Sequence, residues 1–137
     1  MKRCIEKRID TATMPVRATH GSIGFDCTTP YDVNIRPRES VLVNLGIGLR
    51  SPLMHFYLEL HLRSSMRTKH GLTSLGVGII DCDYLDDIKI LLHNTSEITV
   101  ELKTGERIAQ LIPHMICGIG DTPLDDIRIG GFGSTGK

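Results

Sequence analysis

The 137-residue sequence has no net charge and no long apolar run, and each absence excludes a class of function. Sixteen Lys and Arg residues balance sixteen Asp and Glu residues, so no overall field attracts DNA, RNA or an anionic membrane surface. No apolar run approaches the roughly 18 residues that suggest a membrane-spanning helix, and the N-terminus lacks the apolar core of a signal peptide. We therefore expect one domain in the cytoplasm or nucleus, with no nucleic-acid or membrane partner.

Paired cysteines are lacking as well. The four cysteines, Cys4, Cys27, Cys82 and Cys117, are widely separated and form no C-x-x-C pair. This spacing argues against a zinc site and implies no disulfide framework. The absence of a P-C-x-x-C segment also argues against a zinc-dependent deaminase. Free thiols in a reducing compartment are the expectation.

Helical periodicity is missing too, and strand patterns take its place. Apolar and polar residues alternate completely over residues 55–62, and the same period recurs over 98–102. Residues 41–49 and 88–92 carry apolar side chains on both faces, which predicts buried strands, and 107–112 continues this pattern. Many short strands at regular spacing predict an all-β barrel or sandwich of the jelly-roll type.

Turn signals separate these strands. Lys103-Thr104-Gly105 predicts a hairpin. The glycines at positions 76 and 78 suggest another hairpin, where a flat ligand can fit against bare backbone. At most about one helical turn fits between Ser64 and His70. No internal repeat or linker divides the chain.

The last eight residues, 130–137, change the composition of the chain abruptly. They comprise four glycines, two hydroxyl residues, one aromatic residue and one lysine, which offer too little apolar surface for a packed element. The run matches G-x-G-x-x-G and most of a phosphate-binding loop, but both motifs need a helix directly afterwards. The sequence offers no such helix, so we expect a mobile, phosphate-binding tail.

Three further segments carry groups suited to a nucleotide. Arg63-Ser64-Ser65 ends an alternating strand with a guanidinium and two hydroxyls, which fits a phosphate cradle or a solvated strand end equally well. Asp81 and Asp83 would share one face of a strand, which is costly unless function compensates, or they belong to an acidic turn over 81–87. Gln110 lies in an apolar strand and needs a partner, either a ligand or neighbouring backbone.

Together with the tail and a fifth segment, Ser22-Ile23-Gly24-Phe25-Asp26, these three segments resemble the five motifs of the trimeric dUTPases (deoxyuridine triphosphate nucleotidohydrolases). In chain order they read Ser-x-Gly-Phe-Asp from Ser22, Arg-Ser-Ser from Arg63, Gly-x-Ile-Asp-x-Asp-Tyr from Gly78, Gly-Glu-Arg-Ile-Ala-Gln-Leu from Gly105 and Gly-Gly-Phe-Gly-Ser-Thr-Gly from Gly130. The resemblance implies a distorted jelly-roll-like β-barrel over residues 1–124 and a flexible Gly-rich C-terminal arm over 125–137 that closes as a lid. It also implies a homotrimer with active sites shared between subunits.

The resemblance implies hydrolysis of dUTP to dUMP and pyrophosphate by in-line attack of water on the α-phosphate. This reaction keeps uracil out of DNA and supplies dUMP. Asp81 matches the carboxylate that activates the water. Asp26 and Asp83 match carboxylates that contact the substrate-binding groups and do not contact the substrate themselves. Mg²⁺ is held by the phosphates and waters, with no direct protein ligand. The residues that match substrate contacts are Arg63, Ser64, Ser65, Leu75, Gly76, Gly78, Ile80, Tyr84, Gln110, Arg128, Phe132, Gly133, Ser134 and Thr135.

The resemblance assigns a different segment of the chain to the base, the sugar and the phosphates of the nucleotide. The backbone of 75–80 matches a hairpin that reads the uracil edge, and Phe132 matches the aromatic ring that caps the base. Tyr84 matches a ring that packs under the deoxyribose and leaves no room for a 2′-hydroxyl. The residues that match phosphate contacts are Arg63, Ser64 and Ser65, with Ser64 at the bridging position, together with Gln110, Ser134 and Thr135.

The sequence departs from the family pattern at a few positions. The arm usually carries an arginine five residues before the phenylalanine, where this chain has Ile127, and Arg128 lies one residue closer. We expect Arg128 to reach the γ-phosphate. After Tyr84 the family commonly has a basic residue and then glycine, whereas this chain has Leu85 and Asp86.

Two alternatives to dUTP hydrolysis follow from these considerations. One is a dCTP deaminase-like enzyme, which shares a similar barrel and some motifs. The pairing of Asp81 and Tyr84 with the Phe132 tail argues against it. The other is a catalytically quiet relative that binds a nucleotide or a protein partner as a regulator, which the intact Asp81 disfavours.

Overall fold

The structure, a computed structural model, describes residues 3–120 of the chain. Within that range the chain forms ten strands and one helix: β1 (Ile5–Lys7), β2 (Phe25–Thr28), β3 (Val33–Ile35), β4 (Ser40–Leu49), β5 (Phe56–Leu62), α1 (Ser64–His70), β6 (Leu72–Ser74), β7 (Gly78–Ile80), β8 (Asp87–Asn94), β9 (Val100–Leu102) and β10 (Arg107–Met115). None of its helical segments is long and apolar enough to cross a membrane over residues 3–120.

The strands pair antiparallel in three sheets. The first has the order β1-β4-β8-β6, the second β2-β10-β5-β7, and the third is the pair β3-β9. The mainly-β prediction is therefore confirmed. The pairings between residues 3 and 120 leave three open sheets and form no closed barrel.

One hydrophobic core draws on all three sheets. Strand β5 shows why the sequence produces it: Leu58 and Leu60 are buried, whereas the alternate residues Glu59 and His61 are only half-buried. In an antiparallel strand successive side chains point to opposite faces, so strict alternation gives one apolar face to the core. The second sheet therefore buries one face and presents polar groups on the other.

The expectation of strands buried on both faces is correct only in part. Strand β4 is buried continuously from Leu45 to Leu49, but its first half alternates. Leu42 pairs with Leu91 of β8, and these two side chains are 45% and 37% exposed. The apolar run in β8 therefore covers one buried face and one accessible face.

The two expected hairpins are wrong, although both turns exist. The turn at 103–105 joins β9, which pairs with β3, to β10, which pairs with β2 and β5. The glycine turn at 75–77 joins β6, which pairs with β8, to β7, which pairs with β5. Gly76 and Gly105 take φ values of 98° and 85°, which glycine adopts without strain. Both turns pass the chain between sheets.

Helix α1 is longer than the single turn expected. It covers all seven residues from Ser64 to His70, or about two turns. Met66 is buried in the core, and Gly71 ends the helix in the left-handed conformation at φ 64°. Burial of Met66 and this glycine cap stabilise a segment that has no helical periodicity of its own.

Candidate functional site

Four polar residues lie near one another where β2, β10 and β5 run side by side. Asp26 lies in β2, Arg107 and Gln110 lie in β10, and Arg63 follows the last residue of β5. The Nε atom of Arg63 is 3.1 Å from Oδ1 of Asp26, and Nη1 of Arg107 donates to Oδ2 of Asp26 at 3.2 Å. We call these four residues the Asp26 cluster.

The Asp26 cluster carries an excess of one positive charge. Two guanidinium groups face one carboxylate, and the carboxylate side chain is only 11% exposed. The Arg107 side chain is 55% exposed, so part of its guanidinium faces solvent. A guanidinium has five donors in a planar fork, and two ion-pair contacts to Asp26 do not use them all. The cluster can therefore receive an anion such as phosphate.

Gln110 is positioned by its strand register and by a glycine. Its backbone pairs with Asp26 on one side and with His61 on the other. A Cβ added to Gly24 would lie 2.5 Å from Oε1 of Gln110, so the Gln110 amide packs against bare backbone. The glycine of the Ser-x-Gly-Phe-Asp segment thus leaves space for the polar side chain of another segment.

The two serines of the Arg-Ser-Ser segment begin helix α1 beside the cluster. Arg63 is extended, with φ −68° and ψ 141°, and its N–H donates to the carbonyl oxygen of Ile108 at 3.0 Å. This bond ties the end of β5 to β10. Ser64 is exposed and Ser65 is half-buried. Arg63, Ser64 and Ser65 therefore lie at one end of the second sheet, beside β10.

The glycine segment before Asp81 lies at the edge of the same sheet. Leu75 and Gly76 are exposed, and Ile80 is buried. A Cβ at Gly78 would approach Cβ of Leu60 to 3.2 Å, so glycine keeps β7 close against β5. This edge strand and the exposed turn before it offer backbone groups to a flat ligand.

Asp81 and Asp83 lie in a turn, not in a strand, because β7 ends at Ile80. The Tyr84 N–H donates to the Asp81 carbonyl oxygen at 3.1 Å, and the Tyr84 hydroxyl donates to the Asp87 carbonyl oxygen at 3.0 Å. Asp81 is exposed, Asp83 is half-buried, and Tyr84 is 6% exposed. We call residues 81–87 the Asp81 turn. Its acidic residues agree with the alternative that the sequence left open.

Within one chain the Asp81 turn and the Asp26 cluster lie at opposite ends of β5. Leu58 pairs with Ile80, the residue before Asp81, whereas Arg63 comes after the other end of the strand. Positions 58 and 63 are five residues apart along the chain, which corresponds to roughly 17 Å of extended strand. Even an extended arginine side chain at one end and an aspartate side chain at the other do not together span that distance.

Several predicted site residues lie outside the described residues. Arg128, Phe132, Gly133, Ser134 and Thr135 all fall beyond position 120. One residue of the described cluster received no role from the sequence, namely Arg107. Arg107 lies in the same Gly-Glu-Arg-Ile-Ala-Gln-Leu segment as Gln110, and this position is the one sequence feature that could have indicated a role. Its partner Asp26 is 81 positions away.

A second group of ionisable side chains lies on the polar face of β5. Glu59 receives a hydrogen bond from the Tyr57 hydroxyl at 3.1 Å and shares another with Nε2 of His61 at 2.8 Å. Nε2 of His114 lies 3.3 Å from the same carboxylate. The hydrogen bond with His61 is the main cause that lowers the pKa of Glu59. Over residues 3–120, no group of three or more His, Cys, Asp or Glu side chains could hold a metal ion.

Comparison with known proteins gives one family. The sequence model of the dUTPase family matches residues 10–136. The deoxyuridine 5′-triphosphate nucleotidohydrolase of Paramecium bursaria Chlorella virus 1 is 36% identical over 141 residues, covering 96% of each chain. The mouse protein of that name is 37% identical, covering 92% of this chain and 80% of its own. The crystal structure of dUTPase from Streptococcus mutans aligns with a TM-score of 0.78 and 29% identity, covering 87% of this chain and 100% of that one.

Proposed function

Because the chain belongs to the dUTPase family, we propose that it hydrolyses dUTP to dUMP and pyrophosphate, which keeps uracil out of DNA and supplies dUMP. The observation that carries this function is the match of the family over residues 10–136, which includes both the Asp26 cluster and the Asp81 turn. The dCTP deaminase-like and regulatory alternatives have no support in the comparisons.

The Asp26 cluster is proposed to bind the triphosphate. Arg63 and Arg107 supply the excess positive charge, and Asp26 holds both guanidinium groups in place through its two oxygens. Gln110 adds an uncharged amide, and Ser64 and Ser65 add hydroxyls and the first amides of α1. Groups fixed before the substrate arrives stabilise developing negative charge without having to reorient.

Mg²⁺ is proposed to enter with the substrate, as the Mg²⁺ complex of dUTP. Mg²⁺ prefers oxygen ligands and usually keeps several waters, with few protein ligands beside substrate phosphates. The Asp26 carboxylate fits this arrangement, because both its oxygens already contact guanidinium groups. An ion bound in this way would neutralise phosphate charge, and Asp26 would keep the two arginines directed towards the phosphates.

The nucleoside is proposed to lie against the Asp81 turn and the edge strand before it. The backbone of 75–80 would read the uracil edge, with Leu75, Gly76, Gly78 and Ile80 as the contacting residues. Tyr84 would pack under the deoxyribose. Its ring is largely fixed by protein contacts, so a 2′-hydroxyl would meet a rigid surface. Asp83, in the same turn, would help to hold Asp81.

Asp81 is proposed to act as the general base. It would take a proton from the water that attacks the α-phosphorus in line, and pyrophosphate would leave on the opposite side. The new bond joins the water oxygen to the α-phosphorus, and the bond that breaks joins that phosphorus to the bridging oxygen of the β-phosphate. A positioned base of this kind contributes about 10²–10⁴-fold to the rate.

The active site is proposed to form between subunits of a homotrimer. The roughly 17 Å between the Asp81 turn and Arg63 along β5 supports this arrangement, because one α-phosphate cannot contact both within a single chain. The arm over 125–137 would close over a site with Phe132 on the base, Gly133, Ser134 and Thr135 on the phosphates, and Arg128 on the γ-phosphate. The division into a jelly-roll-like domain over 1–124 and an arm over 125–137, and the cytoplasmic or nuclear location, stay predictions.

The direct test is an assay of the purified chain with Mg²⁺ and either dUTP or dCTP. We expect pyrophosphate from dUTP and no ammonia from dCTP. Ammonia from dCTP would instead support the deaminase. An absence of product from both nucleotides, in a folded sample, would contradict the enzyme and support the regulatory relative.

The role of Asp81 has its own test. Asp81→Asn is expected to lower kcat for dUTP by about 10²–10⁴-fold and to leave dUTP binding within a fewfold of the wild type. Asp10→Asn, an exposed carboxylate outside both groups of site residues, is the control and is expected to change neither. An equal loss of binding and turnover in Asp81→Asn would contradict the role of a base.

A further inference from the structure

Arg8, just after β1, reaches across the first sheet to the Asp81 turn. Its Nη2 atom donates to the carbonyl oxygen of Leu49 at 2.9 Å and to that of Leu85 at 2.8 Å. Leu85 is the residue directly after Tyr84. Hydrogen bonds from a charged guanidinium are stronger than those between neutral groups. One nitrogen atom therefore ties the end of β4 to the residue that follows the Tyr84 ring.

The rest of the guanidinium is fixed as well. Nη1 donates to Oε1 of Glu6 at 2.6 Å, and Nε lies 3.9 Å from Oδ1 of Asp87. A Cβ added to Gly48 would lie 2.7 Å from Nε of Arg8, so the guanidinium lies against bare strand backbone. The backbone N–H of Arg8 donates to the Gly46 carbonyl oxygen at 2.8 Å. Strand β4 and Glu6 together hold Arg8 in one orientation.

The Asp81 turn is held from its other side at Asp87. The Asp87 carbonyl oxygen accepts the Tyr84 hydroxyl, and its Oδ2 accepts a hydrogen bond from Nδ2 of Asn44 at 2.7 Å. Arg8 adds a hydrogen bond at Leu85, which lies between Tyr84 and Asp87 in the chain. Leu85 and Asp86 are themselves exposed and pack little, so polar contacts and not burial determine the path of this part of the turn.

We propose that Arg8 is a positioning residue that fixes the Tyr84 ring and thereby sets the discrimination between dUTP and UTP. The inference rests on the proposed function, in which Tyr84 packs under the sugar. A 2′-hydroxyl is excluded only if the ring cannot move away from it. A turn held by Arg8 at Leu85 and by Asn44 at Asp87 keeps the ring in place.

The test compares Arg8→Gln with the control Arg50→Gln. Arg50 also faces Glu6, at 3.8 Å from its Nε, but its side chain is 58% exposed. The ratio of kcat/KM for dUTP to that for UTP is measured for each variant, with the melting temperature. We expect Arg8→Gln to lower this ratio by roughly 10- to 100-fold, because small displacements of a positioned group have effects of that size. Arg50→Gln is expected to leave the ratio unchanged. An unchanged ratio in Arg8→Gln, even with a lower melting temperature, would overturn the proposal.

Arg8→Lys distinguishes the effect of the guanidinium geometry, which serves the carbonyl oxygens of Leu49 and Leu85, from the effect of the positive charge. An ammonium keeps the charge but lacks the fixed planar fork, so we expect a ratio between those of the wild type and Arg8→Gln. A wild-type ratio in Arg8→Lys would contradict the need for the planar fork, since an ammonium at this position would then hold the turn equally well.

Amide hydrogen exchange tests the same inference without activity. We expect the Tyr84 amide, which donates to the Asp81 carbonyl oxygen, to exchange faster in Arg8→Gln than in the wild type or Arg50→Gln, because the turn loses its bond at the Leu85 carbonyl oxygen. If the wild type released no pyrophosphate from dUTP, the proposed function would fail, while this measurement would still decide whether Arg8 holds the turn. Unchanged exchange would show that it does not.

Discussion

At the scale of single residues, Gly24 illustrates how one motif makes room for another. The Gln110 amide occupies the space where any side chain at position 24 would begin. Gly24 is buried in the loop before β2. Gln110, in β10, pairs with Asp26 of β2. The segment from Ser22 and the segment from Gly105 therefore pack against each other, which neither segment shows when it is read alone.

Gly24→Ala is expected to reduce activity more than stability. The new methyl group would push away the Gln110 Oε1 atom, the end of a flexible side chain, and remove the proposed phosphate contact. We expect kcat/KM for dUTP to fall about tenfold, the cost of roughly one hydrogen bond to a charged group, with a small change in melting temperature. Gly21→Ala, where an added Cβ meets nothing within 4 Å, is the control. Normal kinetics in Gly24→Ala would exclude Gln110 from the site.

Glu59 is expected to make stability depend on pH. Its hydrogen bonds with His61 and Tyr57 lower the pKa of Glu59 in the folded state. The ionised carboxylate therefore stabilises the fold above its unfolded pKa, and this contribution is lost as the pH falls through the lowered pKa. Glu59→Gln should lower the free energy of unfolding at about pH 6, and the difference from the wild type should shrink at about pH 3. Urea unfolding at equal protein concentration measures this.

The control for Glu59→Gln is Glu101→Gln, which removes an exposed carboxylate 3.7 Å from the Lys103 ammonium. Exposed pairs contribute little to stability, so a small difference at both pH values is expected. A difference for Glu59→Gln that is equal at both pH values would contradict the assigned cause.

Some of these residues are identifiable from the sequence and others are not, for a physical reason. Gln110 stood out because a lone amide among apolar residues needs a partner. Arg107 did not stand out, because an arginine near a strand end is ordinary and its partner Asp26 is distant in sequence. Arg8 is a similar case, since its contact with Leu85 spans 77 positions. Such contacts depend on the sheet order, which no local pattern contains.

At the scale of elements, strands were predictable where one face must be buried. The alternation in β5 located the strand and its buried leucines, Leu58 and Leu60. The turn at 103–105 was found by its residue types, but its interpretation as a hairpin is wrong, since β9 pairs with β3. Turn residues report the local backbone conformation, and strand pairing depends on long-range packing.

The arm gives a prediction at this scale. Deletion of residues 130–137 is expected to leave the fold and the oligomer intact and to remove dUTP hydrolysis, because the proposed lid excludes water and contacts the base and phosphates. Size-exclusion chromatography and kcat measure the two properties. A truncated protein with normal kcat would contradict the role of the arm.

At the scale of the whole molecule, the two groups of proposed site residues lie at opposite ends of β5 within one chain, roughly 17 Å apart. Asp81 follows β7 near one end of β5, and Arg63 follows the other end. A cyclic trimer can bring the Asp81 turn of one subunit to the Asp26 cluster of the next, since each interface of a ring joins two different surfaces. We therefore infer that the active sites are shared between subunits.

Complementation between two inactive variants tests that claim most directly. Asp81→Asn and Arg63→Gln chains carrying different tags are co-expressed, and mixed oligomers are isolated through both tags. In a ring of three, every mixed trimer contains one interface at which an intact Asp81 meets an intact Arg63, so we predict about one third of wild-type dUTP hydrolysis. Each variant alone should be nearly inactive. Mixed oligomers no more active than the separate variants would contradict a shared site and place the catalytic groups within one chain.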